Sequence, residues 1–351
     1  MTHAGIAAAV RRAAGLFALR ERAIVEVVGD DRVRWLDGML SNDVAGLAPG
    51  PQRSGCRALA LTRKGQIVAD VHVWLRPCSF WLETDAAAVP GLLEHLRRLL
   101  VADDVRLVDL SGALALVALE GPAAPDVAAA AATSPLALAA GSVAELAIGG
   151  VPAVAAAYGA SGEPALRLAV DAAALARLCA ALGKAGRRFG LVDGSAEALE
   201  ILRIEAGTPA FASELAGGVL PAEARLEAAV AFDKGCYTGQ EIVARVESRG
   251  QQGREAAAQL AEGERRRAPA GVKRRLTGLL LESAVPAAPG AAIEVAGERV
   301  GEVTSACVSP ARGAIALGFV RLPHDEPGAA LRVGGEPAHA AALPLVPPGA
   351  P

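Results

Sequence analysis

The sequence predicts an α+β protein that ends in a small β-barrel. Three observations carry this. Period-two alternation recurs through roughly the first hundred residues. Helical spacings interrupt it without the regular strand–helix repeat of a doubly wound sheet. After residue 272, short strands follow one another between glycines and prolines, the texture of a closed or partly closed barrel.

Each element has its own signal. Residues 23–28 alternate as a strand, and Gly29-Asp30-Asp31 turns it. Val33, Leu36, Met39 and Leu40 share one face of the helix that follows, which Ser41-Asn42-Asp43 with Gly46, Pro49 and Gly50 closes. Strands at 56–62 and 66–74 meet across a turn at Arg63-Lys64-Gly65. In the second, alternation puts Ile67, Ala69, Val71 and Val73 on one face and Val68, Asp70, His72 and Trp74 on the other. A carboxylate, an imidazole and an indole thus share a surface. Residues 86–101 read as a helix, and 105–110 and 114–119 as strands. From Ser195 another helix runs through Leu199, Ile201, Leu202 and Ile204 until Gly207-Thr208-Pro209 stops it. The barrel strands are expected at 276–281, 292–295, 298–305, 313–322 and 330–333.

The 351 residues exceed the roughly 250–300 at which one hydrophobic core stops growing, so two or three packed units are expected. The boundaries read along the chain are an N-terminal segment 1–17, an α+β region of two interleaved subdomains over 18–250, a basic linker or insertion over 251–271, and the barrel over 272–346. With 35 basic and 38 acidic side chains the formal charge is −3, so no global field draws nucleic acid or an anionic membrane. Hydrophobic residues make up 52%, but alanine inflates that figure, and no apolar run approaches the about 20 residues of a spanning helix. The alanine-rich stretch 123–160 is broken by Pro125, Asp126, Pro135, Glu145, Gly149 and Pro152 and reads as small-residue globular structure. Residues 1–20 carry no long apolar core with a small-residue cleavage site. The five cysteines, Cys56, Cys78, Cys179, Cys236 and Cys307, are scattered and free of any CxxC, which argues against a disulfide framework or a zinc site. The expected setting is the reducing cytoplasm, with no membrane partner.

The chemistry-bearing stretch is Lys234-Gly235-Cys236-Tyr237-Thr238-Gly239-Gln240-Glu241. Its second half has the form of a capping box, Thr238 accepting from the Glu241 amide while Glu241 reaches back to that of Thr238. The helix it starts would carry Ile242, Val243 and Val246 as a stripe and Glu241 and Arg245 as an i,i+4 pair, and would end at Gly250. Cys236 then precedes the cap by two residues, where the positive helix end and Lys234 both favour a thiolate. The plain alternative is a small buried hydrophobe. Further on, Arg265, Arg266, Arg267, Lys273, Arg274 and Arg275 form the one basic cluster, either a solvated loop or a grip for an anion such as RNA.

These eight residues resemble the signature of the YgfZ-type folate-binding proteins, relatives of the glycine-cleavage aminomethyltransferases (the GcvT superfamily). Leu40-Ser41-Asn42-Asp43-Val44, Arg203-Ile204-Glu205-Ala206-Gly207 and Gly301-Glu302-Val303-Thr304-Ser305 resemble the same superfamily. The resemblance implies a three-lobed arrangement around a central folate site, and an accessory role in assembly, repair or maintenance of iron–sulfur enzymes. It makes tetrahydrofolate or a related folate the cofactor and iron–sulfur clients or assembly proteins the partners, with a transient cluster contact through the Cys236 thiol. Glu205 would accept a pterin's ring N–H and amino group. Asp70 would stand near the folate's reactive nitrogen. Tyr237, Gln240 and Arg245 would complete the folate contacts, Arg245 meeting the glutamate tail unless it only pairs with Glu241, and Tyr237 stacking unless it packs in the core. The alternative is a tetrahydrofolate-dependent aminomethyltransferase in which Asp70 handles a proton, and a second alternative is an RNA-binding accessory of tRNA modification. One departure stands out: Gly159-Ala160-Ser161-Gly162-Glu163 lies where aminomethyltransferases carry Gly-Tyr-Thr-Gly-Glu, with Ala160 in the tyrosine's place.

Overall fold

The computed structural model describes residues 1–50, 54–136, 138–258 and 271–350, with 251–258 as backbone only. The chain opens with α1 (His3–Arg12) and β1 (Ala14–Ala18). An antiparallel five-stranded sheet follows, from β2 (Arg22–Val28), β3 (Gly55–Leu61), β4 (Ile67–Leu75), β5 (Phe80–Asp85) and β6 (Arg106–Asp109), in the spatial order β3-β4-β5-β2-β6. Helices α2 (Arg32–Met39) and α3 (Val89–Arg98) cover one face of it. That face is built from Ala69, Val71 and Val73 of β4 with Val25 and Val27 of β2, against Leu36, Leu92 and Leu96. The opposite face of β4, with Asp70 and His72, is left for other use.

The second lobe is a six-stranded sheet of β7 (Leu114–Glu120), β8 (Val143–Ile148), β9 (Val151–Ala156), β10 (Ala165–Asp171) and β11 (Leu191–Asp193), completed by β1, in the order β11-β1-β7-β10-β9-β8. Helices α4 (Ala124–Ala131) and α5 (Leu175–Gly186) pack on it. Alanines at 124, 128, 153 and 155 are buried there, so small side chains let helix and sheet approach closely. Residues 1–17, read from sequence as a segment apart, therefore supply an interior strand of this lobe, with β11 parallel on one side and β7 antiparallel on the other.

Helix α6 (Ala196–Ala206) starts where the Ser195 hydroxyl accepts from the Ala198 amide at 3.2 Å. It ends at Gly207, whose φ of 73° and 2.7 Å clearance between a built Cβ and Leu343 leave room for glycine alone. Its apolar side, with Ile201, Leu202 and Ile204, joins α1 and the barrel in one core. Helix α7 (Gln240–Ala258) does not stop at Gly250 as expected but runs through the first residues of the supposed linker. Residues 259–270, with the arginine run Arg265 to Arg267, lie outside the described residues.

The barrel closes from β12 (Arg274–Leu281), β13 (Ala292–Val295), β14 (Glu298–Ser309), β15 (Gly313–Arg321), β16 (Ala330–Val333) and β17 (Glu336–Ala341), in the order β12-β15-β14-β13-β16-β17. Its sixth strand escaped the sequence reading because Pro337 and three alanines are poor strand formers. Beyond it the chain returns to the lobes, where the Val346 amide donates to the Glu205 carbonyl at 3.0 Å. Among the described residues no helix is long and apolar enough to cross a membrane.

Candidate functional site

Between the two lobes lies a cavity of about 530 Å³. The free face of β4 supplies Asp70 and His72 to its wall, the end of β1 supplies Phe17, and α6 supplies Glu200 and Arg203. Arg57, on the neighbouring strand β3, meets Asp70 in a two-pronged pair, Nε to Oδ1 at 2.9 Å and Nη2 to Oδ2 at 2.6 Å. Burial opposes ionisation of Asp70, but the Arg57 charge and its two hydrogen bonds outweigh it and hold the carboxyl below the usual range. Arg22 clasps Glu83 in the same way, at 2.5 and 2.7 Å. Burial pushes the His72 imidazole down to about 3 against the pull of Glu83 and Asp70, so its ring is neutral at ordinary pH.

The stretch Lys234 to Glu241 is elsewhere, and none of its residues lines this cavity. Cys236 is exposed at the surface. Lys234, expected to add charge beside that thiol, is 4% exposed and directs its ammonium at the end of α2. There it reaches the carbonyls of Asp37, Leu40 and Asn42 at 2.5, 3.1 and 2.8 Å and the Asp37 carboxylate at 2.9 Å. A cation placed on the terminal carbonyls of a helix is a C-terminal cap. Tyr237 is buried in the core shared by lobes and barrel, its hydroxyl without a partner and its pKa pushed up to about 12 by burial. The capping box is not formed: the Thr238 amide donates to the Gly38 carbonyl at 3.2 Å, and the Glu241 carboxylate takes Arg245 at 2.6 Å. Gln240 is the first residue of α7. Gly239 precedes it at φ 87°, where a Cβ would stand 2.5 Å from the Thr62 carbonyl oxygen. The close approach of this turn to the β3–β4 hairpin explains the glycine.

Glu205 also lies off the cavity. It is fully buried, accepting from Arg11 Nε at 2.7 Å and from the Ser309 hydroxyl at 2.5 Å, and so ties α6 to α1 and the barrel. The glutamate of α6 that does border the cavity is Glu200, paired with Arg203. Arg57, Glu83 and Tyr158 were missed from sequence. A lone arginine inside the apolar run 56–62 was the one signal for Arg57, and nothing in the alanine-rich stretch marked Tyr158. Among the described residues no three of His, Cys, Asp or Glu are grouped to hold a metal ion.

Two α+β lobes flank the cavity, and the barrel docks on α6. The family model described as "GCVT N-terminal domain" matches residues 4–234, and "Glycine cleavage T-protein C-terminal barrel domain" matches residues 274–347. The chain belongs to this glycine cleavage T-protein family. The aminomethyltransferase of Streptomyces avermitilis is 32% identical over 96% of this chain and 87% of its own length. That of Rubrobacter xylanophilus is 31% identical over 98% and 86%. The glycine cleavage system aminomethyltransferase T from Bartonella henselae shares the fold at a TM-score of 0.80, with 22% identity over 99% of this chain and 90% of that one. These relatives overturn the expectation of an accessory factor for iron–sulfur enzymes. The chain matches proteins named for aminomethyl transfer along nearly its whole length, and neither iron–sulfur clients nor RNA finds support among them.

Proposed function

We propose that the chain is a tetrahydrofolate-dependent aminomethyltransferase, with the folate seated in the cavity between the lobes. The observation that carries this reading is the ionised carboxylate of Asp70 on the cavity wall, held by Arg57. A volume of about 530 Å³ is within the range of pockets that enclose ligands of this size.

In the reaction a carbon held between a thioether sulfur and an amine passes to N5 and N10 of the folate. Two bonds of that carbon break and two form, the protons of the two folate nitrogens leave with the thiol and ammonia, and no electrons are exchanged. The carbon becomes cationic on the way. Asp70, already anionic and paired, suits the role of counter-charge to that cation, since its low pKa disfavours carrying a proton. Its two oxygens keep lone pairs beyond the Arg57 bonds, so the carboxylate can still accept from a folate N–H. Lys234, Cys236, Tyr237, Gln240, Arg245 and Glu205 border no part of the cavity. The finer placement with YgfZ-type folate binders rests on residues 234–241 alone.

The test is an assay of tetrahydrofolate-dependent ammonia release and methylene-tetrahydrofolate formation from an aminomethyl-lipoyl donor. Turnover slowed by about a hundredfold or more in Asp70→Asn is expected. Absence of turnover by a folded wild-type chain that has the donor and the folate would remove the reading.

A further inference from the structure

One part of the cavity wall is unused by the reaction above. The rings of His72 and Tyr158 lie stacked, with centroids 3.7 Å apart and planes 4° from parallel. Aromatic pairs left to themselves favour offset or edge-on contacts, so this arrangement is imposed by what surrounds it. His72 is held on β4 between its cross-strand partners Arg57 and Glu83. Tyr158 is pinned at its hydroxyl, which donates to Glu83 Oε2 at 2.8 Å and accepts from Trp74 Nε1 at 3.0 Å. Trp74 itself, the indole expected to share the ligand surface, is fully buried and stands edge-on to Tyr158, centroids 6.2 Å apart.

Both stacked rings border the cavity. Among the other groups on the wall, Arg57, Arg22, Arg203 and Arg167 are each committed to an acid, and the Arg167 guanidinium stands 5.7 Å from the centroid of the Tyr158 ring. The stack is therefore a rigid, uncharged π-surface set among charges. Ala160, two residues further along the same lining segment, offers no ring. Tyr158 lies in the connection after β9, yet its ring is held by His72 and by the two hydrogen bonds at its hydroxyl, and a side chain locked by its neighbours is the kind that fixes a ligand's orientation.

We propose that Tyr158, backed by His72, is the residue against which the ligand's heteroaromatic ring stacks, and that it makes this end of the cavity selective for a flat bicyclic heterocycle such as a pterin. The proposal rests on the folate reading above and adds the residue that orients the ring. Tyr158 acts by contact of its ring with the ligand.

The chain has two tyrosines, Tyr158 and Tyr237. With 3-fluorotyrosine incorporated, fluorine NMR reads one resonance from each, and Tyr158→Phe assigns them. Titration of the full chain with 5-formyltetrahydrofolate is expected to move the Tyr158 resonance upfield in step with saturation, while that of Tyr237, packed in the core, stays in place. By calorimetry Tyr158→Phe, which keeps the ring, binds within about threefold of wild type, and Tyr158→Leu binds roughly tenfold to a hundredfold more weakly. Saturable binding with an unmoved Tyr158 resonance overturns the stacking role and leaves the folate reading intact. Failure of the wild-type chain to bind the folate overturns the folate reading instead. Should the Leu variant not fold, the wild-type resonance decides alone.

Discussion

Arg57 on β3 reaches diagonally to Asp70 on β4 in a two-pronged pair at 2.9 and 2.6 Å. The Arg57 charge and its two hydrogen bonds outweigh burial, which opposes ionisation, and hold the Asp70 carboxyl on the cavity wall below its usual range. Asp70→Asn keeps the shape and removes the charge. Its transfer rate is expected to fall by about a hundredfold or more, with folate affinity changed much less, because a charge complementary to the transition state is what is lost. Steady-state kinetics at saturating folate checks this, and an unchanged kcat would sink the role.

Glu205→Gln separates structure from binding. The carboxylate holds Arg11 and Ser309 in the core and does not border the cavity. Removing its charge leaves the Arg11 guanidinium with Glu163 as its remaining acid, at 2.9 Å. A loss of about 1–3 kcal/mol in unfolding free energy is expected, read by urea titration, with affinity for 5-formyltetrahydrofolate unchanged.

Within the stretch 234–241, stability and exposure lie on different residues. Lys234→Met strands the last carbonyls of α2 and the Asp37 carboxylate without their cation. It should cost about 2–4 kcal/mol, as breaking a buried charged pair does. Cys236→Ala, at an exposed position, should change neither the denaturation midpoint nor aminomethyl transfer. Loss of transfer in that variant would return the thiol to the mechanism.

His72 gives a pH dependence with a definite sign. Its imidazole titrates near 6.5 in an unfolded chain and at about 3 in the fold. Between those values the unfolded chain binds a proton that the folded one does not. The contribution to stability is complete above about pH 6.5 and is lost as pH falls toward 3, with a slope of at most about 1.4 kcal/mol per pH unit. Urea midpoints at pH 7 and 5.5 should therefore fall further in wild type than in His72→Gln. Equal falls would mean that the ring is protonated in the fold.

The parts that sequence made legible are those where one face of a regular element is buried and the other is not. The strand at 67–75 is the clearest: strict alternation identified both its core face and the polar face that carries Asp70 and His72. The alanine-rich stretch 123–160 was opaque because alanine gives little contrast between faces, and α4, β8 and β9 were hidden in it. Glu205 was read from its motif as a ligand residue. Its actual partner, Arg11, comes from a helix 194 residues earlier, a contact no local pattern announces. The capping box failed for a similar reason. Gly239, held at positive φ by the β3–β4 turn, starts α7 in place of the threonine.

The place of β1 also sets an order of events during synthesis. Strands β2 to β6 are contiguous in the chain, so the first sheet can close as soon as residue 109 is free of the ribosome. Strand β1, made before any of them, can pair with β7 once residue 120 has emerged but must wait longer for its parallel partner, since Ala14 pairs with Leu191. At about 5–20 residues per second that wait lasts several seconds or more. For that interval the leading strand has only β7 beside it and keeps one edge unpaired, and the hollow between the lobes is not yet complete. A nascent chain can therefore gain nothing from its ligand until the second lobe has emerged, and a chaperone that shields residues 14–18 would protect the molecule at its most exposed moment.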